Sequence, residues 1–177
     1  MVLFSPRTLT PARTLTPALA SAELLGIARG LACERDRWLR LVEHRPDERW
    51  FARIVAEDDH DVWLIGWDSF QGVELHDHGG AAGVLYVVDG VLQETSATRG
   101  GPRRLHDQML HAGTARAFGA AHVHRVVNPS ARPATSLHIY SPPLLTMDFY
   151  RPGPEHELTH VYTEAALAPR SGPSELR

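Results

Sequence analysis

From residue 49 onward the chain is a succession of short apolar or alternating runs broken by turn residues. That punctuation constrains the fold class most. The runs are Trp50–Ala56, Val62–Trp67, Val73–His76, Val84–Val88, Val91–Thr98, Arg103–Leu110, Val123–Asn128 and Ala134–Tyr140. Between them lie Glu57-Asp58-Asp59, Gly79-Gly80, Asp89-Gly90, Arg99-Gly100-Gly101-Pro102, Asn128-Pro129-Ser130 and Pro142-Pro143. Many short strands at this spacing predict an all-β sandwich or barrel. Asp89-Gly90 between two valine-rich runs predicts a hairpin.

The first 48 residues read differently. Arg7-Thr-Leu-Thr-Pro-Ala12 is repeated as Arg13-Thr-Leu-Thr-Pro-Ala18, too few copies for a solenoid. Thr16-Pro17 has the form of a helix start, and a helix of about 12 residues to Gly30 is expected. A second helix is expected from about Cys33 to His44, where Trp38, Leu41 and Val42 fall at helical spacing. Pro46 prevents its continuation. The expected organisation is an extended lead-in over residues 1–16, one domain over 17–165 with two N-terminal α-helices, and a tail over 166–177.

Composition excludes several classes. At 177 residues, 43% hydrophobic and 22% charged, the chain has the profile of one ordinary globular domain. A net charge of −3 with no long basic run argues against nucleic acid or a membrane surface as partner. No apolar run approaches the roughly 20 residues of a spanning helix. Ala18-Leu19-Ala20-Ser21-Ala22 resembles a cleavage site, but Pro6, Arg7, Pro11, Arg13 and Pro17 interrupt the segment before it. The single cysteine, Cys33, cannot form an intramolecular disulfide. The expectation is a cytoplasmic monomer.

Eleven histidines direct attention to metal chemistry, since histidine is the commonest metal ligand. In His76-Asp77-His78 the two imidazoles point to one face of a strand and Asp77 to the other. A third imidazole from another strand would complete a facial set. His122 and His124 also share a face, so spacing alone leaves both as the third ligand. The spacing Gly72-(x3)-His76-x-His78-(x4)-Gly83-(x6)-Gly90, followed by His124-(x3)-Asn128, resembles the two motifs of the cupin superfamily of small β-barrels. Histidine in this position ahead of Asn128 favours His124, with His122 a rim residue or a partner of a ligand. The usual cupin glutamate has its counterpart near Gly83, which leaves three neutral nitrogen ligands and no carboxylate.

Ser136-Leu137-His138-Ile139-Tyr140 alternates polar and apolar. One set must face the barrel interior, ordinarily the apolar one. If the polar set faces inward, a hydroxyl bonded to an imidazole bonded to a phenol satisfies the group.

His76-Asp77-His78, His124-Arg125-Val126-Val127-Asn128 and Ser136-Leu137-His138-Ile139-Tyr140-Ser141-Pro142-Pro143 together resemble the cysteine dioxygenase family over roughly residues 49–150. The resemblance implies a cupin, or small jelly-roll β-barrel, with Fe(II) on His76, His78 and His124. It implies a relay of Ser136, His138 and Tyr140, and a cis peptide between Ser141 and Pro142. It matches Arg53 to the arginine that binds the substrate carboxylate, as a planar fork can, and sets Phe51 where animal members have a tyrosine near that carboxylate. Gly83 stands where animal members carry the cysteine that cross-links to the tyrosine, so Tyr140 is expected unmodified. The implied activity is oxidation of L-cysteine by O2 to cysteine sulfinate. The alternatives are another small thiol, 3-mercaptopropionate or cysteamine, and a non-oxidative metal-binding cupin.

Overall fold

The computed structural model describes residues 18–101, 104–155 and 157–166. Among them two antiparallel sheets form the body. The strands are β1 (Trp50–Ala56), β2 (Asp61–Trp67), β3 (Gly72–His76), β4 (Ala82–Asp89), β5 (Val91–Thr98), β6 (His106–His111), β7 (Ala115–Phe118), β8 (His122–Val127), β9 (Ala134–Ser141), β10 (Thr146–Pro152) and β11 (Leu158–Ala165). One sheet has the order β1-β2-β9-β4-β7 and the other β11-β10-β3-β8-β5-β6. Side chains from both, including Trp63, Leu85 and Phe118 from the first and Leu92, Leu110 and Val126 from the second, meet in one buried cluster between them. The all-β expectation therefore holds.

A second apolar cluster lies on the other face of the five-stranded sheet. There Val62, Leu64, Val84, Leu137 and Ile139 pack against Leu24 and Ala28 of helix α1 (Ser21–Cys33) and against Trp38. This layer matters for the site. Because α1 covers the outer face of β9, that face carries the apolar residues, and the inner face is released for polar ones.

Two expectations about helices need correction. The N-terminal helix begins at Ser21, where Glu23 accepts a hydrogen bond from the Ala20 N–H at 2.8 Å. Thr16 and Pro17 lie outside the described residues, as do the 1–16 lead-in and the tail from residue 167. The expected second helix over Cys33–His44 is instead two 3₁₀ turns, Arg35–Arg37 and Leu39–Leu41. Gly30 does not stop α1, which runs on to Cys33, and Trp38 Nε1 then donates to Leu31 O at 2.8 Å. That bond folds Trp38 back onto α1, so its apolar surface is buried without a second α-helix. Among the described residues there is no helix long and apolar enough to cross a membrane.

The Asp89-Gly90 hairpin is also corrected. β4 and β5 belong to different sheets and do not pair. Gly90 has φ 77°, and a Cβ there would lie 2.8 Å from Pro133 O and Ala134 Cβ. The glycine turns the chain across a barrel corner, a second use of a φ-positive residue between strands. The hairpin of this region is β5–β6, in which Ser96 pairs with His106.

Candidate metal centre

The sheet register brings the three expected ligands to one end of the barrel. His76 on β3 and His124 on β8 are direct cross-strand partners, and His78 follows in the turn after β3. All three are buried. Their ring centroids stand 5.1 Å (His76–His78), 4.8 Å (His76–His124) and 4.9 Å (His78–His124) apart, nearly an equilateral triangle. One nitrogen of each lies within 4.8 Å of the others. Burial, and after it the neighbouring imidazoles, holds His76 and His78 well below the usual histidine range, so both rings are neutral.

The hydrogen bonds determine which nitrogens are free. His76 Nδ1 sits 2.7 Å from Glu74 O, which can only accept, so the proton is on Nδ1 and Nε2 carries a lone pair. His124 Nδ1 lies 2.8 Å from Glu94 Oε1, with the same consequence. His124 Nε2 then faces His78 Nε2 at 3.2 Å, and His78 Nδ1 is buried without a partner. A proton between those two Nε2 atoms satisfies one pair and leaves His76 Nε2 unfilled. A cation accepting all three lone pairs fills all three Nε2 positions at once, so the residues fit a metal ion.

The turn that carries His76 and His78 is clamped from outside. Asp77, buried between them, accepts from Arg99 at 2.6 Å, from Tyr150 Oη at 2.9 Å and from the Gly79 N–H at 3.0 Å. His122 is turned away from the triangle. It stacks on Phe118 at 4.9 Å and bonds to Glu94 Oε1 at 3.0 Å. Between the two candidates that spacing left open, His124 is the one whose nitrogen joins His76 and His78.

Ser136, His138 and Tyr140 all face the barrel interior and are buried, with Leu137 and Ile139 directed to the helix layer. Trp67 Nε1 donates to Ser136 Oγ at 2.9 Å. Ser136 Oγ lies 2.9 Å from His138 Nε2, and His138 Nδ1 lies 3.2 Å from Tyr140 Oη. Tryptophan can only donate, so the serine hydroxyl directs its proton to His138 Nε2. His138 Nδ1–H then donates to the phenol oxygen, and the Tyr140 proton stays free for the cavity. Burial, then His124, pushes His138 down to about 3; burial, then Asp61, pushes Tyr140 up. Both stay neutral near pH 7. Tyr140 stands against His78, with ring centroids 4.9 Å apart. The Ser141–Pro142 peptide is cis.

A cavity of about 100 Å³ opens beside His76, His124, His138 and Tyr140. Its wall carries Phe51, Trp63 and Trp67 from the first hairpin and Glu164 from β11. Its guanidinium belongs to Arg49; Arg53 is not on the lining. Arg49, Phe51 and Arg53 alternate along one stretch of chain, but four residues of extended chain span about 13 Å. The register sets Arg53 against Trp63, toward the hairpin end, with its guanidinium carbon 5.9 Å from that ring. The Arg49 guanidinium carbon is 5.1 Å from the Trp67 ring at the histidine end, and its Nε is buried without a partner.

Arg49, Glu94 and Trp67 are functional candidates that the sequence reading passed over. Period-two alternation from Phe51 points to Arg49, and from Leu92 to Glu94.

Two kinds of comparison bear on these observations. A family model described as cysteine dioxygenase type I matches residues 18–152. A solved structure from Thermus thermophilus is similar with a TM-score of 0.50 at 23% identity, covering 59% of this chain and 93% of that one, which shows a shared fold. A double-stranded β-helix protein from Klebsiella pneumoniae matches at 17% identity and TM-score 0.49, covering 58% of this chain and 84% of that one. A cupin superfamily protein from Desulfitobacterium hafniense matches at 13% identity and TM-score 0.48, with the same coverages.

Proposed function

Because the chain belongs to the cysteine dioxygenase type I family, we propose that it is a thiol dioxygenase that oxidises L-cysteine with O2 to cysteine sulfinate. The observation that carries this reading is the shared cavity: His76 and His124, the latter 3.2 Å from His78, meet the Tyr140 phenol and the Arg49 guanidinium, whose Nε has no partner, around one space. His76, His78 and His124 would hold Fe(II), which when bound supplies open coordination positions and the electron that O2 needs to react with a thiolate.

The chain's own residues do the rest. Arg49, rather than the expected Arg53, receives the substrate carboxylate. A desolvated guanidinium nitrogen without a partner, such as Arg49 Nε, is costly, and a carboxylate that accepts two parallel hydrogen bonds removes that cost. Tyr140, oriented by His138, Ser136 and Trp67, presents its hydroxyl proton to the reacting end of the substrate. Phe51, Trp63 and Trp67 exclude water around it, which strengthens each polar contact. At about 100 Å³ the cavity is well below the roughly 300 Å³ at which drug-sized sites begin, which suits a small thiol. Glu164 on the same wall favours an amine-bearing thiol over 3-mercaptopropionate.

The test is O2 uptake by protein loaded anaerobically with Fe(II), with L-cysteine, 3-mercaptopropionate and cysteamine in parallel. Uptake should be fastest with L-cysteine. No uptake with any thiol rejects the oxygenase reading, and equal uptake with cysteamine rejects the carboxylate contact.

A further inference from the structure

Gly83 occupies the position where a cupin carries its glutamate, and the structure closes that route. A Cβ on Gly83 would lie 2.4 Å from Ile139 O and 2.7 Å from the Phe118 ring, so no side chain reaches the centre from there. A carboxylate is nonetheless present. Glu94 on β5 faces inward, 1% exposed, on the same side as its cross-strand partner Val126. Its Oε1 accepts from His124 Nδ1 at 2.8 Å and from His122 Nε2 at 3.0 Å. Its Oε2 faces Arg116 Nε at 3.3 Å.

We propose that Glu94 is the carboxylate of the metal centre, acting through His124 rather than on the metal. Glu94, His122 and His124 also lie close enough together to hold an ion of their own, but the Arg116 guanidinium beside them opposes a second cation. His124 has two ring nitrogens, and the geometry divides their work. Nδ1 donates to Glu94, and Nε2 faces His78. A carboxylate in this position does three things. It locks the tautomer that leaves Nε2 free, and it makes the imidazole a more basic ligand. It also returns, one hydrogen bond away, part of the negative charge that a three-histidine set lacks. Glu94 is thus a positioning residue.

This inference rests on the three-histidine reading, and the experiment separates the two. Purified metal-free full-length protein is titrated with Co(II) against a chelator under anaerobic conditions, for wild type and for Glu94→Gln, Glu94→Ala and His122→Ala. The cobalt ligand-field spectrum is recorded at saturation. Glu94→Gln keeps an acceptor for His124 but not the charge, and should weaken Co(II) about tenfold; Glu94→Ala removes both and should weaken it about 100-fold. His122→Ala disturbs the same buried cluster without touching His124 Nδ1. It should stay within about threefold of wild type, since loss of one of two donors to Oε1 is a smaller change. Co(II) binding by both Glu94 variants within about twofold of wild type would overturn the proposal, because outer partners of this kind are worth tenfold or more. So would a loss in His122→Ala equal to that in Glu94→Ala, because the cluster would then be packing alone. A wild type that binds no Co(II) rejects the metal centre itself.

Discussion

Replacing Arg49 by alanine should cripple turnover of L-cysteine, while replacing Arg53 should not. A guanidinium–carboxylate fork holds two charge-assisted hydrogen bonds of about 1.5–3 kcal/mol each. Part of that sum is offset by desolvation of the substrate carboxylate on entering the cavity, about 1–3 kcal/mol. The net is roughly 2–4 kcal/mol, or about 30- to 1000-fold in kcat/KM. Arg53 has its guanidinium 5.9 Å from the Trp63 ring, a contact worth about 0.5–1 kcal/mol at a partly exposed position, and that energy bears on stability. Arg53→Ala should therefore stay within about threefold in kcat/KM. Arg49→Lys should fall between, since an ammonium keeps the charge but not the fork. The assay is initial-rate O2 consumption over a range of L-cysteine, with cysteamine as the control that lacks the carboxylate. Arg49→Ala should leave cysteamine turnover unchanged. The reasoning is refuted if Arg53→Ala loses L-cysteine activity and Arg49→Ala keeps it.

Tyr140→Phe should lower kcat on the order of 100-fold, the scale of a positioned proton donor, with Co(II) affinity unchanged by titration. Trp67→Phe, which removes only the far end of the relay, should lower kcat by less than about tenfold. Gly83→Ala should destabilise the fold by about 1–3 kcal/mol in urea unfolding, because its Cβ enters the space of Phe118 and Ile139 O. Asp61 supplies a pH test. Burial pushes its carboxyl up to about 6 from 3.8, against hydrogen bonds from Trp63 and the Leu144 N–H. Its folded-state value lies above the unfolded one, so its contribution is fully present below about pH 4 and is lost as pH rises to about 6. The loss amounts to about 3 kcal/mol. The stability difference between wild type and Asp61→Asn should change by that amount between about pH 4 and about pH 7 and be flat above.

The β-rich body was legible because turn residues interrupt its runs, and His76 and His78 because strand alternation puts them on one face. The inward direction of Ser136, His138 and Tyr140 was not legible from alternation alone, since it depends on α1 covering Leu137 and Ile139 from a segment far away in the chain. Asp89-Gly90 misled for a related reason. A φ-positive glycine serves a two-residue hairpin and a barrel corner equally well, and only long-range pairing distinguishes them. β7, β10 and β11 went unread; β11 is mostly exposed and carries no apolar alternation, yet it supplies Glu164 to the cavity wall. Arg53 was chosen by motif resemblance; the register sets it against Trp63 while Arg49 lines the cavity, and the proposal assigns the carboxylate to Arg49 on that ground. Glu94 was missed because a search for a ligand at Gly83 looks for a carboxylate on the metal and not on an imidazole.

The most direct test of the proposed activity is the fate of labelled oxygen. Protein loaded with Fe(II) turns over L-cysteine under ¹⁸O₂ in ordinary water, and the product is analysed by mass spectrometry. The account predicts cysteine sulfinate in which both sulfinate oxygens carry the label. A product with one labelled oxygen or none, or cystine as the only product, would contradict it.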